Sequence, residues 1–200
     1  MALPAQTELI GSEFERFSLA DPQGQFELYD GRLVERPGMS VAHGSVMMAL
    51  GLVIGRQLDP EEFEIRIQHA RLKRSDRSYS IPDIVVLPGD AVAALMANPD
   101  QLDLYPDPVP FVAEVWSPLT GGYDIDVKIP GYRERGDLEI WRVHPYERRV
   151  VAWQRQPDGG YADLAYLGGV VELTFLPGVR IDLDGLFAGP GIRSDEGRRP

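Results

Sequence analysis

The chain contains no cysteine, which excludes disulfides, thiolate metal sites and thiol nucleophiles and suits a reducing compartment. The cytoplasm is therefore the expected location. Lysine is almost missing as well, with two residues beside eighteen arginines, and there are only three histidines. Thirty-one acidic residues leave a formal net charge of -11, which disfavours broad attraction to nucleic acid because phosphate binding needs cations to displace counterions. Any nucleic-acid site must be local. Long apolar runs are absent too. The longest, 46–54, is far shorter than the roughly 20 residues that span a bilayer. Residues 1–9 lack the basic segment and apolar run of a signal peptide, so no membrane association is expected. No Gly-x-Ser-x-Gly elbow or Gly-x-x-x-x-Gly-Lys loop occurs, which disfavours serine-hydrolase triads and nucleoside-triphosphate hydrolysis.

What is present fits one globular domain. Two hundred residues, 44% of them hydrophobic, can bury a substantial core. The expected organisation is a flexible N-terminus over 1–9, a single domain over 10–188 and a disordered Gly-, Pro- and charge-rich tail over 189–200. Segments 26–28 and 32–35 flank Tyr29-Asp30-Gly31, a strong hairpin signal. Ser40 can cap a largely apolar helix running to about 58, ended by Pro60. Segment 62–70 alternates Phe63, Ile65 and Ile67 with charged residues, the period of a half-buried strand with a solvent-facing charged side. A central strand is expected over 80–87, starting after Pro82. A short helix over 91–97, an apolar strand over 111–116, a helix over 124–135 despite Pro130, a strand pair at 138–144 and 150–154, and further strands within 161–175 complete a mixed α/β pattern. Arg71, Lys73, Arg74 and Arg77 form a basic cluster that fits a solvated, exposed turn as readily as a phosphate site.

The most informative interruption is Glu114 within the apolar run 111–116, because a carboxylate in a buried strand is costly unless paired, hydrogen-bonded or bound to a metal. An outward-facing side chain or an arginine partner would serve as well. Asp83, after Pro82 at a strand start, could simply serve a turn. Adjacent strands could nevertheless bring both carboxylates to one point, and magnesium takes one or two carboxylates plus waters and phosphate oxygens. Lys128 stands four residues after Asp124, the spacing of a helix-surface ion pair. Its rarity in a chain that otherwise uses arginine instead suggests a compact ammonium placed beside a phosphate and an activated water. His43, His69 and His144 show no metal-binding spacing and are read as structural or hydrogen-bonding residues.

The ordered series Phe26-Glu27-Leu28-Tyr29-Asp30-Gly31-Arg32-Leu33-Val34, His43, Pro82-Asp83, Val112-Ala113-Glu114-Val115-Trp116-Ser117-Pro118, Asp124, Lys128, Tyr132 and Glu139-Ile140-Trp141 resembles the Uma family of restriction endonucleases, a branch of the PD-(D/E)xK nuclease superfamily. The resemblance covers roughly 20–187. It implies a restriction-endonuclease-like core, a mixed sheet flanked by helices with the acidic residues at one edge. It also implies that Asp83 and Glu114 bind Mg2+ or Mn2+, that Glu27 helps build the same site as a further metal-binding carboxylate, and that Lys128 assists catalysis. Trp116 stands where the superfamily's lysine usually lies, and the family relocates that lysine to the following helix, where Lys128 falls. His43 matches a position that lines the site. Ser80-Ile81 replaces a more usual arginine beside the proline. The expected activity is metal-dependent hydrolysis of DNA by a homodimer. A catalytically silent nuclease-fold module that binds nucleic acid or protein is the alternative.

Overall fold

A computed structural model describes residues 8–20, 26–36, 38–98, 100–118 and 121–189. The expected flexible start and tail fall largely on 1–7 and 190–200, outside the described residues. The hairpin forms as the sequence indicates. Strand β1 (Phe26–Tyr29) pairs antiparallel with β2 (Arg32–Glu35), and Asp30 and Gly31 both take positive φ, 46° and 82°, the pair of left-handed residues a type I′ turn requires. An unanticipated helix, α1 (Gly11–Ala20), precedes it and buries Phe14 against Leu28 and Tyr79.

Two mixed sheets carry the domain. The smaller has the order β2-β1-β5-β4-β7 and contains β4 (Arg71–Ser75), β5 (Ser78–Ser80) and β7 (Leu104–Tyr105). The larger has the order β11-β10-β9-β8-β6-β3. Its members are β3 (Phe63–Ile67), β6 (Ile84–Pro88), β8 (Phe111–Val115), β9 (Glu139–His144), β10 (Arg149–Arg155) and β11 (Tyr161–Tyr166). Strands β8 and β9 run parallel, while the other neighbours in this sheet are antiparallel. A third pair, β12 (Val170–Glu172) with β13 (Arg180–Asp182), and helix α6 (Leu183–Phe187) close one side.

Alternation along the strands of the larger sheet sorts their side chains onto two cores. Ile84, Val86, Ala113 and Trp141 pack with Val46, Leu50 and Ile54 of α2 (Val41–Gly55). Val85, Leu87, Val112 and Ile140 pack on the opposite face with Ile129 and Tyr132. Glu114 follows Val112 by two residues and so interrupts this second row. Helix α2 is capped as expected, with the Ser40 hydroxyl accepting from His43 N at 3.2 Å, but it ends at Gly55, three residues before the expected limit. Its outer face leaves Val41, Met48 and Leu52 exposed.

Several expectations change. The strand expected over 80–87 is two strands in different sheets, because the chain leaves β5 at Ser80, bends through 81–83 and enters β6 at Ile84. The first helix expected after it is α3 (Gly89–Met96). Segment 62–70 is a strand only over 63–67, since Gln68 adopts a positive φ of 54° that turns the chain toward β4. Its charged side is not uniformly solvated, because Arg66 is half-buried against Asp103 and Glu64. Of the basic cluster only Arg77 lies in a turn, and the other three residues belong to β4. Arg71 is buried in β4, while Lys73, Arg74 and Arg77 pair with Asp76, Glu134 and Asp30.

The helix expected over 124–135 is observed in two pieces, a π-helical turn (Asp124–Lys128) and α5 (Ile129–Arg135), preceded by a single turn, α4 (Gly121–Tyr123). Ile129 N donates to Asp124 O, five residues back. A widened turn of this kind lets the helix pass Pro130, which has no N–H to offer the ordinary i→i−4 ladder. Gly136 ends α5 in the left-handed conformation, φ 83°. Among the described residues no helix is long and apolar enough to cross a membrane.

Candidate active site

The sequence-expected residues come from five separate elements and meet in one cleft. Glu27 lies on β1, His43 in the first turn of α2, Asp83 in the bend before β6, Glu114 on β8 and Lys128 at the end of the π-turn. All five are buried, with relative exposures of 1–3%. The cleft is also lined by Arg36, Ser117, Tyr123 and Asp124.

Lys128 is the hub of one half. Its Nζ lies 2.7 Å from Glu114 Oε1 and 3.2 Å from Glu27 Oε1, and it donates to Ile81 O at 2.8 Å. Glu27 Oε1 also accepts from Ile81 N at 2.8 Å, so the backbone of one residue, Ile81 beside Pro82, ties the lysine and this glutamate together. Tyr132, one turn along the helix, donates to Glu114 Oε1 at 2.5 Å. The bland readings of Glu114 as outward-facing and Lys128 as a helix-surface ion pair are therefore overturned.

Asp83 is the hub of the other half. Its Oδ1 accepts from Arg36 Nη2 and Gln68 Nε2, each at 3.0 Å. Its Oδ2 accepts from Val115 N and is bonded to His43 Nε2, each at 2.8 Å. The Val115 contact arises because β6 and β8 are neighbours, and it places Asp83 beside the strand that carries Glu114. The turn-forming role open to Asp83 is not what it performs.

Charge is unevenly distributed across these groups. Burial alone would raise Asp83, but the hydrogen bond and charge of His43, with Lys128 and Arg36, hold it well below the usual carboxylate range. Glu114 moves the other way. Burial pushes it up, Lys128 opposes this, and the neighbouring Asp83 and Asp124 charges add to the rise. Burial would lower Lys128, yet Glu114, Glu27 and Asp124 outweigh it and hold its proton more firmly than usual. Two carboxyls with opposite shifts beside a firmly protonated lysine are the kind of perturbation found at functional sites.

The donor set is compatible with a hard dication. Among the described residues no group of three or more His, Cys, Asp or Glu side chains is disposed to hold a metal. That leaves the pair Asp83 and Glu114, a complement that suits Mg2+ or Mn2+ when waters and phosphate oxygens complete the shell. Glu27 Oε1 is engaged by Lys128 and Ile81 N, as Glu114 Oε1 is by Lys128 and Tyr132.

Arg36 and Gln68 were not anticipated. Arginine is the common cation here, so one more carries no signal, and Gln68 lies on what the alternation assigns to a wet strand face. His69 and His144 lie outside the cleft lining, as their spacing suggests, and His144 stacks on Trp116 with ring centroids 4.3 Å apart.

No curated protein matches the chain. A solved structure described as a putative nuclease belonging to DUF820 from Anabaena variabilis is similar in fold, with a TM-score of 0.72 at 16% identity, covering 90% of this chain and 98% of that one. At that identity the likeness speaks to the fold. The model of the Uma2 family, described as "Putative restriction endonuclease", matches residues 12–184. That span includes every element contributing to the cleft, and the chain belongs to the Uma2 family.

Proposed function

We propose that the protein is a Mg2+- or Mn2+-dependent endonuclease that hydrolyses DNA phosphodiester bonds. The observation that carries this reading is the convergence of buried Asp83 and Glu114 with buried Lys128 in one cleft, in a chain of the Uma2 family. Asp83 and Glu114 would hold the ion. The dication, when bound, supplies Lewis-acid polarisation of the phosphoryl oxygen and acidifies a water. Lys128, kept protonated by the carboxylates around it, is placed to stabilise charge growing on the scissile phosphate. Glu27, Glu114 and the Ile81 carbonyl fix where its ammonium points, and Tyr132 holds Glu114 by a hydrogen bond to Oε1. Val115 N and Gln68 hold the Asp83 carboxylate in one orientation. Cleavage of both strands would take two such sites, hence two copies of the chain.

The test is nicking of supercoiled plasmid in Mn2+ or Mg2+, with EDTA as control. Wild type should nick, while Asp83→Ala, Glu114→Ala and Lys128→Met should each lose about 100-fold or more, comparable to removing one electrostatic stabiliser. Retained nicking in any of these folded variants contradicts that residue's role. The second reading, a silent nuclease-fold module, is favoured by the net charge of -11. It is the outcome if the wild type binds DNA yet leaves every substrate intact in either metal.

A further inference from the structure

The Asp83 carboxylate has two oxygens and about four acceptor positions, and four donors already occupy them: Arg36 and Gln68 on Oδ1, His43 and Val115 N on Oδ2. A cation can join this carboxylate only if a donor leaves. Val115 N belongs to an interior strand. His43 is buried on a capped helix, and the backbone N of Gln68 is itself bonded to Asp83 O at 3.0 Å. Arg36 combines two properties that none of the three has together. It lies beyond the end of β2 with its side chain 14% exposed, unlike buried His43 and Val115, and it carries a permanent positive charge that an arriving dication would repel, unlike Gln68.

The same guanidinium also faces Glu27 at 3.9 Å and lines the cleft together with Glu114, Asp124 and Lys128. It is therefore a second positive charge among the carboxylates, on the Asp83 side of the cleft as Lys128 is on the Glu114 side. Once displaced from Asp83 it would remain on the wall of a cleft that a phosphodiester must enter. A guanidinium presents a planar fork of donors matched to two phosphate oxygens.

We propose that Arg36 is a phosphate-binding residue that exchanges partners: it neutralises Asp83 in the free protein and passes to the scissile phosphate when a divalent cation takes the carboxylates. This inference rests on the metal-site reading above. Metal and phosphodiester then bind cooperatively, since each favours the arrangement in which Arg36 has left Asp83.

The experiment compares wild type, Arg36→Gln and Arg36→Lys in two titrations: Mn2+ by calorimetry, with and without a DNA oligonucleotide, and a labelled oligonucleotide by anisotropy in Ca2+. Arg36→Gln should bind Mn2+ about tenfold more tightly and the oligonucleotide about tenfold more weakly, the scale of one charged contact. A merely structural arginine would weaken both together. Arg36→Lys retains the charge that the buried carboxylates require, and it should lose oligonucleotide affinity with the fork. Equal Mn2+ affinity in wild type and Arg36→Gln, or unchanged oligonucleotide affinity in either variant, overturns the exchange while leaving the metal site standing. Absence of Mn2+ binding in every protein, even with oligonucleotide present, overturns the metal reading itself and the exchange with it.

Discussion

Lys128 and Arg36 show what single residues do and do not disclose. Both are cations among the carboxylates of the cleft, Lys128 buried and Arg36 partly exposed, yet only the lysine stands out in the sequence, because it is one of two lysines beside eighteen arginines. Glu114 was legible as a charge inside an apolar run, and Asp83 as a carboxylate next to it in space once the strands were paired. The Arg36 and Gln68 donors to Asp83 were not legible, since arginine is the chain's common cation and Gln68 lies at a left-handed turn that interrupts the strand alternation. A further titratable group gives a pH-dependence outside the cleft. His144 is lowered by burial, with Glu147 opposing and Arg142 and Arg149 adding to the fall, and Trp116 covers one ring face. The unfolded histidine, near 6.5, then binds protons more readily than the folded one. Stability contributed at His144 is complete above 6.5 and is lost as pH falls toward the folded value. NMR titration should place the His144 midpoint below 6.5, and Trp116→Ala should move it upward. A wild-type midpoint at or above 6.5 contradicts this.

Elements were legible where local signals agreed and were mistaken where tertiary pairing decided. The Asp30-Gly31 hairpin, the Ser40-capped helix and the β9–β10 pair all follow local chemistry. The stretch 80–87 is expected as one strand because Ile84-Val85-Val86-Leu87 is apolar and largely β-branched. It is divided between two sheets because Glu27 and Lys128 take the Ile81 N–H and carbonyl, leaving no ladder partner at the bend. Pro130 gave warning of an irregular helix, and the π-turn is that irregularity. The Ser40 cap matters to the site because it fixes the helix turn that holds His43 against Asp83. Ser40→Ala should cost about 1 kcal/mol of folding stability, read by urea denaturation. A change below the error of that measurement would show that tertiary packing alone holds this helix start.

At the scale of the whole molecule, the site exists because two sheets meet. Glu27 comes from the smaller sheet and Glu114 from the larger, Asp83 sits in the segment joining them, and Lys128 reaches in from the helix across the larger sheet's second face. Glu139, fully buried, ties the C-terminal segment to that sheet by accepting from Thr174 N and Phe175 N. The α/β class and the restriction-endonuclease-like core were expected from the order of motifs. The division into two sheets was not, because β4, β5 and β7 are short and carry arginines and polar residues that read as loop.

The central claim is that Asp83 and Glu114 together form one divalent-cation site. The direct test is calorimetric titration of Mn2+ into wild type, Asp83→Ala and Glu114→Ala, each with a DNA oligonucleotide present. Binding by the wild type that disappears in both variants is the expected result. Binding that persists unchanged in both would place the ion elsewhere and contradict the proposed mechanism.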